Sequence, residues 1–108
     1  MTRLNLLQGT LDLIVLKTLS GEALHGYAIA QRVREVSKDR LQIEEGSLYP
    51  ALYRMEKKGW IRSKWRDSES GRRARVYRLT SEGRRQLAGE EANWGAVAEV
   101  MEDILRSE

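Results

Sequence analysis

The hydrophobic period of the chain changes at Trp60. Before this point apolar residues recur at helical spacing, as do Leu48, Leu52 and Met55. From residue 60 to 66 the side chains alternate instead, and a second alternating stretch covers residues 73–79. The residues between the two stretches are typical of a turn. The change from a period of 3.6 to a period of two predicts helices followed by one β-hairpin.

Three helical patterns precede this hairpin. The first, around Leu11–Leu19, is apolar on nearly all sides, which indicates a buried helix, and Gly21 is expected to end it. The second begins after His25 and Gly26 and carries Ile29 and Val33 on one face. A short extended piece is expected at residues 41–43.

The third helix is predicted to run from an N-cap at Ser47 to a C-cap at Gly59. With that start, Pro50 falls in the first turn, where its missing N–H costs little. After the hairpin, Thr80 is expected to cap a last helix that runs close to residue 108.

The order of these elements is that of a winged helix-turn-helix, a mainly α fold with a small β-hairpin (α+β). In this arrangement the third helix is the recognition helix and the hairpin is the wing. We therefore expect a winged-helix DNA-binding domain at residues 1–80 and a C-terminal dimerisation helix at residues 81–108.

Charge is distributed unevenly along the chain. Residues 41–80 contain ten basic and five acidic side chains, a net charge of +5, whereas residues 81–108 contain three basic and seven acidic ones, a net charge of −4. A cationic region followed by an anionic one is typical of a nucleic-acid reader with a separate assembly element.

Several classes of protein are excluded by composition. The chain has no cysteine and one histidine, so it offers no disulfide, thiolate metal site, cysteine nucleophile or catalytic triad. We expect no enzyme activity, no cofactor and no metal. No stretch reaches the roughly 18 apolar residues of a membrane span, and the start of the chain lacks the apolar run of a signal peptide. A soluble cytoplasmic protein is the expectation.

Five segments resemble, in order and in register, the signatures of PadR-type transcriptional regulators. They are Leu-Gln-Gly-Thr-Leu-Asp-Leu at 7–13, His-Gly-Tyr-Ala-Ile at 25–29, Glu-Gly-Ser-Leu-Tyr-Pro-Ala-Leu-Tyr-Arg-Met-Glu at 45–56, Gly-Trp-Ile at 59–61 and Arg-Val-Tyr-Arg-Leu-Thr-Ser-Glu-Gly at 75–83.

The resemblance implies a homodimer that binds double-stranded DNA at an inverted-repeat operator, usually as a repressor. It also implies release of the DNA by a small aromatic or drug-like effector or by a partner signal. The single helix after the wing is similar to the short-tailed members of the family.

The recognition helix supplies the first candidate DNA contacts. With Leu48, Leu52 and Met55 facing the core, the residues expected to point away are Ser47, Tyr49, Pro50, Ala51 and Arg54. Hydroxyl groups can donate to phosphate, small residues permit close approach, and arginine can reach phosphate or guanine. Alternatively, Tyr49 packs partly on the core and Ser47 is only a cap.

The wing supplies six more cations, Arg62, Lys64, Arg66, Arg72, Arg73 and Arg75. The negative potential of the minor groove attracts such side chains. We expect Lys64, Arg72, Arg73 and Arg75 to make the contacts. Lys64 shares a strand face with Arg66, and Arg73 shares one with Arg75. The alternative is a merely solvated strand face.

The start of the second helix carries a further pair, His25 and Tyr27. The resemblance implies a phosphate contact by one of them. The alternative for His25 is a capping or core role.

The last helix has an apolar stripe beyond the domain core. Its members are Leu87, Trp94, Val97, Ala98, Met101, Ile104 and Leu105. The same helix of a second subunit would cover this stripe symmetrically. Alternatively it packs on its own domain, with Leu4, Leu6 and Leu7 taking part. Trp94 is either interface core or, as in ligand-responsive relatives, a stacking surface for a planar ligand.

A second function from a different class is a winged-helix protein-interaction module without sequence-specific DNA binding. The arginines of the wing favour nucleic acid, because a wing that binds protein is more often apolar.

Overall fold

The computed structural model of the chain describes residues 8–67 and 69–108. Its elements are α1 (Gln8–Leu19), β1 (Leu24–His25), α2 (Gly26–Val36), α3 (Glu45–Lys57), β2 (Ile61–Asp67), β3 (Arg73–Leu79) and α4 (Ser81–Arg106). The predicted order of three helices, a hairpin and a last helix is confirmed.

The sheet has three antiparallel strands in the order β1-β3-β2. The hairpin pairs Ile61 with Leu79 at its base and Asp67 with Arg73 near its tip. Sequence patterning did not identify β1, which pairs Leu24 with Tyr77, because alternation cannot be recognised in a strand of two residues. This strand joins the start of α2 to the wing.

A single apolar cluster holds the helices to the sheet. It contains the inner faces of α1 and α3, with Ile29 from α2 and Leu87 from α4; its fully buried members include Val15, Leu16, Leu48, Leu52, Met55 and Ile61. The helix predicted to be buried, α1, supplies the central residues of this cluster.

The start of α3 differs from the prediction. Its N-cap is Glu44, whose carbonyl accepts from the backbone N–H of Leu48 at 2.9 Å, so Ser47 lies inside the first turn and is not the cap. Pro50 therefore falls beyond the first turn and leaves the carbonyl of Gly46 without its usual helical donor.

The C-cap of α3 is Lys58, one residue before the predicted Gly59, which is the left-handed residue that follows the cap. Gly59 has a φ of 80°, and its N–H donates to the carbonyl of Glu56. The N–H of Trp60 donates to the carbonyl of Met55 at 3.0 Å. These two bonds form a Schellman motif, which requires the left-handed backbone that glycine adopts without strain.

Thr80 caps α4, as predicted, and ties it to the end of α3. Its hydroxyl oxygen accepts from the N–H of Gly83 at 3.0 Å and its hydroxyl group donates to the carbonyl of Gly59 at 2.6 Å. A Cβ at Gly83 would lie 2.0 Å from the carbonyl oxygen of Trp60, so this close approach needs glycine. The 26 residues of α4 span about 39 Å, and the molecule measures 58 × 34 × 22 Å.

Candidate nucleic-acid interface

The centre of the exposed face of α3 is a stripe formed by Gly46, Pro50, Tyr53 and Lys57, all exposed. Tyr53 is 63% exposed, and the Lys57 ammonium lies 5.3 Å from the centre of its ring. Sequence reasoning missed Tyr53 and Lys57, although their helical spacing from Pro50 could have identified them. The outer surface of the helix thus carries small, uncharged residues at its start and a cation at its end.

Ser47 and Tyr49 lie on either side of this stripe. Ser47 is exposed in the first turn. Tyr49 packs against the start of α2, because a Cβ at Gly26 would lie 2.8 Å from the Tyr49 hydroxyl oxygen. Burial raises the pKa of Tyr49, and the carboxylate of Glu45 adds to the effect. The phenol therefore remains a hydrogen-bond donor, and its partial packing agrees with the alternative given for it.

The predicted outward orientation of Ala51 is wrong. Ala51 is 1% exposed and belongs to the core cluster. At 100° per residue, position 51 falls on the same side of the helix as Leu48, Leu52 and Met55. A β-carbon in the core cannot touch a base, so Ala51 does not contact DNA.

The predicted outward orientation of Arg54 is also wrong. Its guanidinium forms an ion pair with the buried carboxylate of Asp12 on α1. Burial raises the pKa of Asp12, and the charge of Arg54 opposes that shift. Arg54 thus attaches the recognition helix to α1, and its long side chain turns toward the carboxylate because an ionised group in the core needs a partner.

The cations of the wing are divided between its two faces. The register confirms that Lys64 and Arg66 share one face and that Arg73 and Arg75 share one, but these are opposite faces, because Lys64 pairs with Val76 and Trp65 pairs with Arg75. The four predicted contacts are therefore not a single surface.

Most cations of the wing have no carboxylate partner in residues 8–67 and 69–108. They are exposed and comprise Arg62, Lys64, Arg66, Arg72, Arg73 and Arg78. Arg62 lies directly opposite Arg78, which was not among the predicted contacts. Like charges in opposed positions destabilise a sheet unless an anion lies near them. The wing is therefore suited to phosphate.

Arg75 is the exception. Its guanidinium lies 3.7 Å from a carboxylate oxygen of Glu56 on α3 and stacks 5.3 Å from the centre of the Trp65 ring. Glu56 also accepts a hydrogen bond from the Ser63 hydroxyl at 2.7 Å. These contacts join the wing to the recognition helix.

His25 and Tyr27 lie beside this surface at the start of α2. His25 is the N-cap by its backbone, but its side chain makes no capping bond. Its ring stacks on Tyr27 with 5.4 Å between centroids, and within the described part of the chain its Nε2 is buried without a hydrogen-bond partner. Tyr27 is exposed, so it is the more accessible of the two for a phosphate.

The apolar stripe of α4 divides into two parts. Leu87 is only 7% exposed and packs in the core of its own domain, so its assignment to a subunit interface is wrong. The first two turns of α4 lie against the domain, which is why Leu87 is already covered. Farther along, Trp94, Val97, Met101, Ile104 and Leu105 are exposed, Ala98 is half-buried, and Val100, which was not predicted, is exposed too.

Trp94 borders an apolar groove between α1, α2 and α4. The groove has a volume of about 630 Å³, and its apolar lining includes Leu13, Ile14, Val36, Leu41 and Trp94. An ion pair at its edge joins Lys17 to Glu91 at 3.8 Å. Leu4, Leu6 and Leu7, which were predicted to join the stripe, lie outside the described residues.

The geometry of helix, wing and sheet agrees with comparisons to known proteins. The transcriptional regulator PadR-like family matches residues 15–89, more than half of the chain. The chain belongs to this family. PadR-like proteins are transcriptional regulators and not enzymes, so α3 and the wing belong to a DNA-binding regulator.

Individual relatives support the assignment over nearly the whole chain. A transcriptional regulator from Mycobacterium tuberculosis is 32% identical over 91 residues, which are 84% of this chain and 78% of that protein. The structure of a PadR family transcription regulator from Clostridium difficile is 35% identical, with a TM-score of 0.76 over 88% of this chain and 97% of that one. A regulator from Clostridium thermocellum is 29% identical, with a TM-score of 0.84 over 92% and 96% of the two chains.

In the part of the chain that the structure describes, no helix is long and apolar enough to cross a membrane. The same residues hold no cluster of three metal-ligating side chains.

Proposed function

We propose that this PadR-like regulator is a homodimeric repressor that binds an inverted-repeat operator through α3 and the wing. The observation that carries the proposal is the set of exposed wing cations without carboxylate partners among the described residues, together with the exposed stripe of α3. Phosphate contacts from such cations supply most of the affinity for DNA and position the recognition helix in the major groove. A dimer that occupies a promoter excludes other proteins from it.

The proposed DNA contacts follow from exposure. On α3 they are Ser47, Tyr49, Pro50, Tyr53 and Lys57. On the wing they are Lys64, Arg72 and Arg73, and the exposed Tyr27 contacts phosphate beside them. The outer face of α3 has no asparagine or glutamine, which are the usual partners of adenine. Sequence-dependent DNA shape is therefore part of the recognition.

Dimerisation is proposed through the distal part of α4, within the segment 81–108. Trp94, Val97, Met101 and Ile104 each expose 45% or more of their surface in a single copy. A row of large apolar side chains along a helix is stabilised by burial against another helix. The two-fold symmetry of such a dimer would match the inverted repeat.

An aromatic effector is proposed for the groove beside Trp94. This indole is 52% exposed at one edge of the groove, and an aliphatic lining faces it. Planar aromatic molecules stack favourably on such a ring. Because the groove adjoins α4, a ligand there would change the relative position of the two DNA-binding domains.

Selection of bound duplexes from a random pool tests the proposal, and anisotropy titration of the selected sequence measures it. The expected site is an inverted repeat, and Arg73→Ala is expected to lower the slope of log K against log salt by about one. A transcription assay from the selected site then tests repression. Equal affinity for selected and random duplexes at physiological salt would favour the protein-interaction module instead.

Titration of Trp94 fluorescence with a panel of planar aromatic compounds tests the effector site, with Trp94→Leu as the control. A compound that binds should also weaken the operator complex. A panel that leaves both the fluorescence and the DNA affinity unchanged would contradict this part of the proposal.

A further inference from the structure

Trp65 is a large aromatic residue on the wing that no prediction assigned to function. It is 54% exposed on β2, two residues before that strand ends. An indole in this position leaves apolar area in contact with water, so its contact with another surface would be favourable. Its immediate neighbours along the strand are Lys64 and Arg66, two exposed cations on the opposite face of the wing.

The ring of Trp65 is held on the face of the wing that turns toward α3. Arg75 lies directly opposite Trp65 in the register, and its guanidinium is 5.3 Å from the ring centre. The same guanidinium is 3.7 Å from Glu56 of α3, which also accepts from Ser63. Together these residues form a cluster that joins the wing to the recognition helix. Its members are Glu56, Ser63, Trp65 and Arg75.

The cluster borders the exposed stripe of α3. Glu56 immediately precedes Lys57 and is three residues after Tyr53, so the indole and the stripe lie on either side of the Glu56–Arg75 ion pair. When a helix occupies the major groove and a wing enters the adjacent minor groove, one strand of the duplex passes between them. The sugars of that strand offer apolar edges at this place.

We propose that Trp65 packs against the deoxyribose of the strand that passes between α3 and the wing, and that Glu56 and Arg75 are positioning residues for it. This inference rests on the proposed DNA contacts of α3 and the wing. Because Glu56 forms an ion pair with Arg75, this arginine supports the indole and contributes less to phosphate binding than Arg73. Arg73 is on the same face, and it forms no ion pair with Asp67, the acidic residue opposite it in the register.

Salt dependence separates an apolar contact from a phosphate contact. Trp65→Ala is expected to weaken DNA binding about tenfold, since an indole ring leaves water on contact with the sugar. The slope of log K against log salt should stay unchanged, because no counterion is released. Trp65→Phe should keep most of the affinity. Arg73→Ala is the matched control and should lower the slope by about one.

The positioning residues have a signature of their own. Glu56→Gln frees Arg75 for phosphate, so the salt slope is expected to rise by about one, a change that a merely structural role would not produce. Arg75→Ala in the natural background should weaken binding with a change in slope of less than about half a unit, and its effect should largely vanish once Trp65 is alanine.

These measurements use the full chain and a labelled duplex, with circular dichroism to verify folding of each variant. Affinity of Trp65→Ala within twofold of the natural protein would overturn the inference, and so would a change in its salt slope like that of Arg73→Ala. Unchanged DNA affinity with weaker self-association would assign Trp65 to a protein contact. If the natural protein fails to distinguish operator from random duplex, the proposed function fails, while the Trp65 contact can still be measured on random duplex.

Discussion

The recognition helix and the last helix are both amphipathic, but only one is fully covered by its own chain. The apolar face of α3, with Leu48, Leu52 and Met55, is buried to the last side chain. The apolar face of α4 is buried at Leu87 and continues into exposed side chains from Trp94 onward. The same pattern of spacing therefore has two different outcomes in one molecule.

The difference separates two kinds of exposed surface. On α3 the face left in solvent is polar, cationic or small, which suits a hydrated and charged duplex. On the distal part of α4 the face left in solvent is the apolar one, which water does not stabilise. The first surface is the one proposed to contact DNA, and the second is the one proposed to pair with a second copy of the chain.

Truncation of a side chain on the buried face of α3 should have the largest effect on stability. Leu52→Ala removes a fully buried side chain of α3 and is expected to lower the free energy of unfolding by about 2–5 kcal/mol. Urea denaturation at fixed protein concentration measures it. The control is the neighbouring exposed residue, and Tyr53→Ala should change stability by less than about 0.5 kcal/mol. Equal losses in the two variants would contradict the burial pattern of α3.

A charge on the uncovered face tests the role of α4. Met101→Glu is expected to weaken self-association at least about a hundredfold, because the carboxylate would be buried between two apolar faces. Sedimentation velocity across a concentration series reports it, with helix content as the test of folding. Glu99→Gln, on the opposite face, should leave association unchanged. A Met101→Glu protein that still sediments as a dimer would show that this face is not the interface.

The ion pair behind α3 has a smaller effect. Asp12→Ala leaves the Arg54 guanidinium without its partner and should lower the free energy of unfolding by about 1–3 kcal/mol. Asp12→Asn keeps an acceptor oxygen and should cost less than about 1 kcal/mol at neutral pH. Thermal denaturation of both variants measures which one loses more stability. A larger loss of stability in Asp12→Asn than in Asp12→Ala would contradict this account of the ion pair.

The pKa of Asp12 also gives this pair a pH dependence. Burial raises the pKa, Arg54 and Lys58 oppose the shift, and Glu90 adds to it. The folded chain then holds the proton more tightly than the unfolded chain. The contribution of Asp12 is therefore fully present below its ordinary pKa of about 4 and is lost as the pH rises through the raised folded pKa. In Asp12→Asn this decline should vanish, as a pH series of urea midpoints would reveal.

The smallest expected effect concerns the junction between the two helices. Thr80 caps α4 and donates to the end of α3, so Thr80→Ala is expected to cost about 1 kcal/mol of unfolding free energy. Ser81→Ala, one residue farther along on the exposed surface, should cost less than about 0.5 kcal/mol. Thermal denaturation compares the two, and a cap without effect would mean that packing at Gly83 alone starts the helix.

Most of the candidate site was predictable from local patterns, and the corrections share one physical origin. The wing, its cations and the outward positions Ser47 and Pro50 follow from alternation and helical spacing, which depend on backbone geometry alone. Ala51 was placed outward because a small side chain carries a weak signal of burial. Arg54 was placed outward because its partner, Asp12, is 42 residues away in the sequence and only the fold joins them.

The order of three helices, a hairpin and a last helix was determined by the sequence itself, because hydrophobic period, turn residues, the helix-ending Gly59 and the cap at Thr80 act over a few residues. Tertiary structure decided which apolar residues are covered and which cations are neutralised. Leu87 and Trp94 look alike in the pattern, yet one is buried and the other exposed, since Leu87 packs in the core cluster and Trp94 only borders a groove. Arg73 and Arg75 look alike as well, yet only Arg75 meets Glu56, because the helix and the wing approach each other there.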